Sequence, residues 1–250
     1  MSKPVRDSNI ELLRIVAMFL VLIDHSGYIS INPPTNEEVF SAPMLSLARY
    51  SCQSFSSICV NVFVLISGWF GIKTRFSRVT EFLFQCYFIC FVAYFVLLTM
   101  GITTPMSHGG WINFLVLGDL WFAMAFLLLY LMAPMMNMFI DSLTQRQFFY
   151  FLLLFFTIQF LHGFVIQVGW FGSGMSPLTL MSLYLTGRYM RLYPNRFTTM
   201  SRWMDMVIYF AVSALGAAFT FIGVRHGAEG YRFFSYVSPT VIVASIYFFS

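Results

Sequence analysis

The chain has 250 residues, of which 59% are hydrophobic, 20% aromatic and only 10% charged, and its formal net charge is +4. About a quarter of the residues in an ordinary soluble domain are charged, so this composition excludes a soluble globular fold. The apolar residues form blocks of about 20, the length that crosses about 30 Å of hydrocarbon as a helix. We therefore predict an all-α, polytopic transmembrane helical bundle, a single membrane-embedded domain over residues 1–250.

Eight hydrophobic blocks, separated by short polar joints, are predicted as membrane spans. They cover residues 9–28, 52–72, 79–100, 113–136, 148–169, 176–192, 204–224 and 235–250. The joints between them carry turn-forming residues, as in INPPTNEE at 31–38 and FGSGMSP at 171–177. The first block is not a removable signal peptide, because Asp24 and His25 interrupt it and no small-residue cleavage site follows.

The distribution of lysine and arginine between the joints predicts the orientation. Ten basic residues fall on the side of the N-terminus: Lys3, Arg6, Lys73, Arg75, Arg78, Arg146, Arg188, Arg191, Arg196 and Arg202. Three fall on the opposite side: Arg49, Arg225 and Arg232. This bias predicts a cytoplasmic N-terminus, with Arg14 inside the first span.

Ionisable residues inside the first span are the first candidate site. Arg14 and His25 are 11 residues apart, which places them about 20° apart around a helix and about 16 Å apart along its axis. Glu11 lies on the same face and can pair with Arg14. Asp24 is rotated by about 100° from His25, so the spacing does not make it the orienting partner of that histidine.

Two interpretations of Arg14 and His25 remain open from the residues alone. Such groups are costly against lipid and should face the interior of the bundle. They form either a structural polar network between helices, or a histidine general base at one end of a pore whose other end binds anions.

A second candidate lies in SGWFGIKTRFSR, residues 67–78. Ser67 begins a small-residue pair that permits close helix packing or the approach of a ligand. Lys73, Arg75 and Arg78 follow it. The two arginines are three residues apart, which would place them on one helical face where they could grip phosphates. The general excess of lysine and arginine in cytoplasmic joints explains these three cations equally well.

A third stretch, GDLWFAMAFLLLYLMAPMMN at 118–137, opens a span with Asp119 and Trp121 at the outer interface. Trp121 alone is typical of an interfacial anchor. The cysteines and histidines show no metal-ligand spacing, and we expect no resident metal.

Together the stretches NIELLRIVAMFLVLIDH, NVFVLISGWFGIKTRFSR and LWFAMAFLLLYLMAPMMN resemble the bacterial membrane acyltransferase 3 family. The family has an Arg and a His in this register of its first span, an SG-containing span that leads to a cytoplasmic Arg-x-x-Arg, and a tryptophan-led span that ends in proline. YLTGRYMRLY at 184–193 is similar to a more diffuse family stretch.

The resemblance implies transfer of an acyl group, usually acetyl, from a cytoplasmic acyl-CoA to a hydroxyl of a sugar or a surface polysaccharide precursor. It implies a multi-pass protein of the bacterial cytoplasmic membrane, in contact with lipid, with a carbohydrate or glycolipid acceptor and no nucleic-acid partner. It favours catalytic roles for His25 and Arg14, and cofactor binding by Arg75, Arg78 and Lys73. Glu11, Asp24, Ser67, Asp119 and Trp121 are further candidates.

Two differences from the family pattern stand out. The family usually has about ten spans, and this chain ends within the apolar run TVIVASIYFFS, so we expect two C-terminal spans to be missing. The residue before the family histidine is more often apolar than acidic, unlike Asp24. The alternative function is a transporter or flippase for a small polar or lipid-linked solute, in which Arg14, Asp24 and His25 form a proton relay.

Overall fold

The structure, a computed structural model, describes residues 8–27, 31–195, 200–228 and 230–250. The described residues form helices and connecting turns without any strand, and the predicted all-α class is confirmed. The helices are α1 (Ser8–His25), α2 (Asn36–Ser41), α3 (Pro43–Ser56), α4 (Cys59–Phe70), α5 (Phe76–Thr99), α6 (His108–Leu115), α7 (Trp121–Asp141), α8 (Gln145–Ile158), α9 (Pro177–Leu192), α10 (Arg202–Arg225) and α11 (Pro239–Phe249). The basic residues Lys3, Arg6 and Arg196 lie outside the described residues.

Six helical stretches in the described part of the chain are long and apolar enough to cross a membrane. They are Pro43–Phe70, Phe76–Thr99, Trp121–Asp141, Gln145–Val165, Arg202–Arg225 and Gly230–Phe249. The remaining two predicted spans correspond to α1, which contains three charged residues, and to α9, which has 16 residues. The polytopic bundle is thus confirmed, while the count of eight spans stays a prediction.

Two predicted span boundaries were wrong. The second span was predicted to begin at residue 52, but its helix begins at Pro43, because α3 is a serine-rich helix whose polar side chains hid it from a hydropathy pattern. The fourth span was predicted as 113–136. The chain instead forms the separate helix α6, breaks at Leu117, whose backbone is left-handed with φ 54°, and starts α7 at Trp121.

Helix α4 lies at the centre of the described bundle, and most of its residues are buried. Its closest neighbour is α9, and the two helices meet at glycines. A Cβ atom on Gly68 would lie 2.2 Å from the carbonyl oxygen of Tyr184, and one on Gly187 would lie 2.4 Å from the carbonyl oxygen of Leu65. Small residues let membrane helices approach closely, so the predicted packing role of the Ser67–Gly68 pair holds for Gly68.

Helix α1 packs on the other side of α4 and also against α3. Its buried Ala17 joins a core with Ile58, Val62 and Ile66. This packing fixes the middle of α1 against α4, with the charged residues described next on either side of it.

Candidate active site

The ionisable residues of the first span lie on one continuous helix, as predicted. Helix α1 runs from Ser8 to His25 without a break, so Arg14 and His25 keep their shared face and a separation of about 16 Å along the axis. We name the two ends of the bundle after these residues, the Arg14 end and the His25 end.

At the Arg14 end, the arginine is already paired. Its Nη1 donates to Glu11 Oε1 at 2.7 Å, which confirms the predicted pairing, and both side chains are somewhat over 40% exposed. The guanidinium carbon of Arg14 also lies 5.8 Å from the centre of the Phe70 ring. Since Phe70 is the last residue of α4, this contact places Arg14 beside the basic segment that follows α4.

At the His25 end, the imidazole is exposed and oriented by its own helix. Its Nδ1 lies 2.8 Å from the carbonyl oxygen of Val21. A carbonyl oxygen can only accept, so Nδ1 carries the proton in this contact. In the neutral ring the other nitrogen, Nε2, then holds a free lone pair, which is the form that a general base requires.

Asp24 is held by α3 and not by His25. Its Oδ1 accepts a hydrogen bond from Gln53 Nε2 at 2.7 Å. The hydroxyls of Ser56 and Ser57 lie 3.4 Å from the same oxygen, but each is closer to the carbonyl oxygen of Gln53, at 3.0 and 2.8 Å. The Gln53 amide therefore anchors the end of α1, with two serine hydroxyls beside it. Gln53, Ser56 and Ser57 fall inside the predicted second span, residues 52–72, and nothing in its pattern indicates which helix their side chains face, so the sequence analysis did not identify them.

Trp121 packs inside the bundle at the same end. Its ring stacks on Tyr236 with centroids 5.5 Å apart and an interplanar angle of 28°. Both Trp121 and Val21 pack against the buried cluster of Cys59, Val60 and Tyr236. The structure therefore brings Trp121 close to Val21, whose carbonyl oxygen accepts from His25. A tryptophan that served only as an interfacial anchor would not need this position. Asp119 is exposed and lines a different cavity, with Cys90 and Asn113.

A cavity of about 170 Å³ opens at the His25 end, next to the residues that follow the histidine. Its described lining combines Ser26 and Gly27 with polar and aromatic side chains of α3 and the segment before α11: Arg49, Tyr50, Gln53, Tyr231 and Phe234. The hydroxyls of Tyr50 and Tyr231 lie 3.3 Å apart. Gln53 thus contributes to the cavity and to the anchor of Asp24.

The basic segment at the Arg14 end consists of the turn after α4 and the first residues of α5. Lys73, Arg75 and Arg78 are all exposed. Arg75 precedes α5 with an extended backbone, φ −132° and ψ 133°, and the helix begins at Phe76. The prediction that Arg75 and Arg78 share a helical face was therefore wrong. Arg78 Nη1 instead lies 3.4 Å from Glu81 Oε2, one turn further along α5.

Helix α7 fixes the backbone of this basic turn. The Tyr130 hydroxyl donates to the carbonyl oxygen of Lys73 at 3.3 Å and accepts from the backbone N–H of Arg75 at 3.2 Å. The hydroxyl of Thr74 donates to the carbonyl oxygen of Tyr130 at 2.7 Å. That carbonyl lies four residues before Pro134, which has no N–H to offer it.

Helix α9 fixes the start of the same turn. The buried hydroxyl of Tyr184 accepts from the backbone N–H of Ile72 at 3.1 Å and donates to Asn137 Oδ1 at 2.7 Å. The Asn137 amide in turn donates to the carbonyl oxygen of Ile72 at 3.1 Å. The turn is consequently a rigid platform for its cations, built by residues that the sequence analysis did not identify.

The candidate residues thus fall into two groups along α1. Arg14, Glu11 and the basic turn lie at one end, whereas Asp24, His25 and Trp121 lie at the other. The Ser67 hydroxyl donates within α4, to the carbonyl oxygen of Phe63 at 3.0 Å. In the described part of the chain, no three His, Cys, Asp or Glu residues come together as a metal site would require.

A helical bundle with membrane-length apolar helices, cations at one end and an oriented histidine at the other defines a class, the polytopic membrane protein with polar groups at both ends of its bundle. Comparison with protein-family models gives the family. The acyltransferase 3 model, described as an acyltransferase domain, matches residues 7–250. The chain therefore belongs to this family and is a membrane acyltransferase. No curated protein and no solved structure matches it with statistical significance.

Proposed function

We propose that this enzyme transfers an acetyl group from cytoplasmic acetyl-CoA, or another acyl group from its acyl-CoA, to a hydroxyl of a sugar. The acceptor is a carbohydrate or glycolipid, such as a surface polysaccharide precursor at the membrane. The observation that carries the proposal is helix α1. It carries Arg14, whose guanidinium lies beside the end of α4 and the basic turn, and on the same face about 16 Å further along it carries a histidine whose Nε2 has a free lone pair.

The distance along α1 suits a CoA thioester. Phosphates held at Lys73, Arg75 and Arg78 would leave the pantetheine arm directed past Arg14 towards the His25 end. Such an arm reaches on the order of 20 Å if it extends as a backbone does. This reach exceeds the roughly 16 Å that separates Arg14 from His25 along α1.

The chemistry at the His25 end then needs one base. Nε2 of His25 takes the proton from the acceptor hydroxyl while the hydroxyl oxygen attacks the thioester carbonyl carbon. A C–O bond forms, the C–S bond breaks, and the CoA thiolate leaves with the electron pair and takes up a proton. A covalent route would use the same nitrogen as a nucleophile that carries the acyl group before the acceptor arrives.

The cavity beside Ser26 and Gly27 supports an acceptor at this end. Tyrosine hydroxyls, an amide and a guanidinium around an aromatic wall are the groups that bind sugar hydroxyls and stack on sugar rings. We place this end outside the cytoplasm and the Arg14 end inside it, in the bacterial inner membrane. The excess of lysine and arginine in the joints of the Arg14 side supports this orientation.

Exchange of His25 for asparagine tests the proposal most directly. An asparagine amide can still donate to the carbonyl oxygen of Val21, but it supplies no base. His25→Asn should lower acetyl transfer at least about 100-fold, the lower end of a general base's contribution, while the affinity for acetyl-CoA stays unchanged. His162→Ala is the matched control, since this exposed histidine lies on another helical segment.

If His25→Asn retains more than about a tenth of the wild-type turnover, His25 is not the general base. A tenfold loss corresponds to an increase of only about 1.4 kcal/mol in the activation free energy. Mass spectrometry of wild-type protein quenched with acetyl-CoA and no acceptor separates the two routes. An acetyl adduct on His25 indicates the covalent one.

A further inference from the structure

Arg188 is a half-buried arginine on the face of α9 that packs against α4. On α9, the residues Tyr184, Gly187, Arg188 and Arg191 follow the spacing of a single helical face. Tyr184 bonds the turn after α4, Gly187 contacts α4 itself, and Arg191 lies 5.0 Å from the ring centre of Trp69. This face of α9 is therefore turned towards the end of α4.

The guanidinium of Arg188 lies against the start of the basic turn. A Cβ atom on Gly71 would be 3.1 Å from Arg188 Nη1 and 3.4 Å from its guanidinium carbon. Gly71 has φ +71°, a backbone conformation that favours glycine, and the absent side chain leaves the space that the guanidinium occupies. Lys73 is exposed two residues further along the same turn.

The charge of Arg188 has no counter-ion in the described part of the chain. The ion pairs found there join Arg14 to Glu11, Arg49 to Glu38 and Arg78 to Glu81, and none involves Arg188. Its Nε is buried and meets no acceptor among the described residues. Arg188 as a whole is half-buried, and a cation that serves only membrane orientation needs no buried atom, so this unpartnered Nε beside the basic turn points to a missing anion.

We infer that Arg188 binds a phosphate group of the acyl donor, together with Lys73, as the inner wall of the donor site. The inference rests on the proposed function and adds to it a residue from α9. The glycine contacts of α9 with α4, and the bonds of Tyr184 and Asn137 to Ile72, hold this wall and the basic turn in one rigid unit. The geometry thus offers a phosphate two cations from two elements, the half-buried guanidinium beside Gly71 and the exposed Lys73.

A comparison of donors with and without phosphates tests this inference. Acetyl-CoA and acetyl-pantetheine carry the same thioester, but only the first has phosphates. Arg188→Gln should raise the KM for acetyl-CoA about tenfold or more, the loss of one charge-assisted contact, and leave kcat nearly unchanged. Its kinetics with acetyl-pantetheine should equal those of the wild type. Arg188→Lys should fall between the two, and Arg146→Gln, a change at an exposed arginine at the start of α8, is the matched control.

A purely structural role would show a different pattern. Equal losses with both donors, or an unchanged KM for acetyl-CoA in Arg188→Gln, would overturn the inference while the proposed function stands. If Arg188→Gln does not fold, the same comparison is made with Arg188→Lys. A raised KM for acetyl-CoA with unchanged kinetics for acetyl-pantetheine supports the inference, and a wild-type KM for acetyl-CoA overturns it. A wild-type enzyme that neither binds CoA nor transfers its acetyl group would instead overturn the proposed function.

Discussion

Thr74 donates its hydroxyl to the carbonyl oxygen of Tyr130 at 2.7 Å, and this carbonyl is the one that Pro134 leaves without a helical N–H partner. A proline inside a helix normally costs stability because it removes one hydrogen bond. Here a residue of the basic turn supplies the missing bond. The proline of α7 therefore also creates the attachment point for the turn that we assign to the donor.

This relationship predicts an energetic coupling between Thr74 and Pro134. Thr74→Val should lower the free energy of unfolding by about 1–2 kcal/mol, because the carbonyl of Tyr130 loses its donor. An alanine at position 134 restores an N–H that can bond this carbonyl, so Thr74→Val in the Pro134→Ala background should cost clearly less. A double-mutant cycle of unfolding in detergent measures the difference. Equal costs in both backgrounds would show that the two residues act independently.

The close contact of α4 and α9 predicts that Gly68 tolerates no side chain. A Cβ at this position would lie 2.2 Å from a backbone oxygen, so Gly68→Ala must push the helices apart. We expect a loss of about 1–3 kcal/mol in the free energy of unfolding. Gly169→Ala is the control, because nothing lies within 4 Å of the added Cβ, and it should change stability by less than about 0.5 kcal/mol. Thermal unfolding in detergent compares the two, and equal melting temperatures would contradict the contact.

The anchor of Asp24 predicts a difference between two substitutions. Asp24→Asn keeps a side-chain oxygen that can accept from Gln53, whereas Asp24→Ala leaves this amide without its acceptor. Asp24→Ala should therefore destabilise the protein by about 1–3 kcal/mol more than Asp24→Asn. Thermal unfolding of both variants measures this. If both variants lose the same stability, the negative charge of Asp24, and not its hydrogen bond, stabilises the contact with α3.

The ion pair of Arg78 and Glu81 predicts a variant that binds the donor more tightly. Both side chains are more than half exposed, so Glu81→Gln should change the free energy of unfolding by less than about 0.5 kcal/mol. It frees Arg78 for phosphate and removes a nearby negative charge, so the Kd for CoA should fall about two- to threefold at low salt and less at high salt. In an Arg78→Gln background the gain should shrink. Unchanged CoA affinity in Glu81→Gln would remove Arg78 from the donor site.

The cap of α2 predicts a pH dependence of stability at the His25 end. The backbone N–H of Thr35 donates to the carboxylate of Glu38 at 2.7 Å and holds the pKa of Glu38 below its ordinary value of 4.5, with Arg49 as a further favourable charge. A carboxylate with a lowered pKa stabilises the folded state above its ordinary pKa, and this contribution disappears as the pH falls through the lowered value. The melting temperatures of wild type and Glu38→Gln should therefore differ at pH 7 and converge below about pH 4. A constant difference across this range would contradict the role of the carboxylate.

Much of the architecture follows from local sequence. Apolar blocks of membrane length determine the class, and the 11-residue spacing of Arg14 and His25 determines their shared face once the span is helical. The pairing of Glu11 with Arg14 follows from the same periodicity. These features depend on residues within a few helical turns, which a hydrophobic and charge pattern describes well.

Other features of the candidate site depend on contacts between distant segments. Gln53 lies at the start of a predicted span, and only the packing of α3 against α1 makes it the partner of Asp24. Arg188 is explained from the sequence as a charge that sets membrane orientation, and only the glycine contact of α9 with α4 places it beside Gly71. A hydropathy pattern shows how apolar a helix is, but not which neighbouring helix it contacts. In a membrane, small residues and hydrogen bonds determine which helices pack together, because both helices are already removed from water. For this reason the sequence by itself determined the spans and the register of α1, while the tertiary structure decided which polar side chains meet at each end.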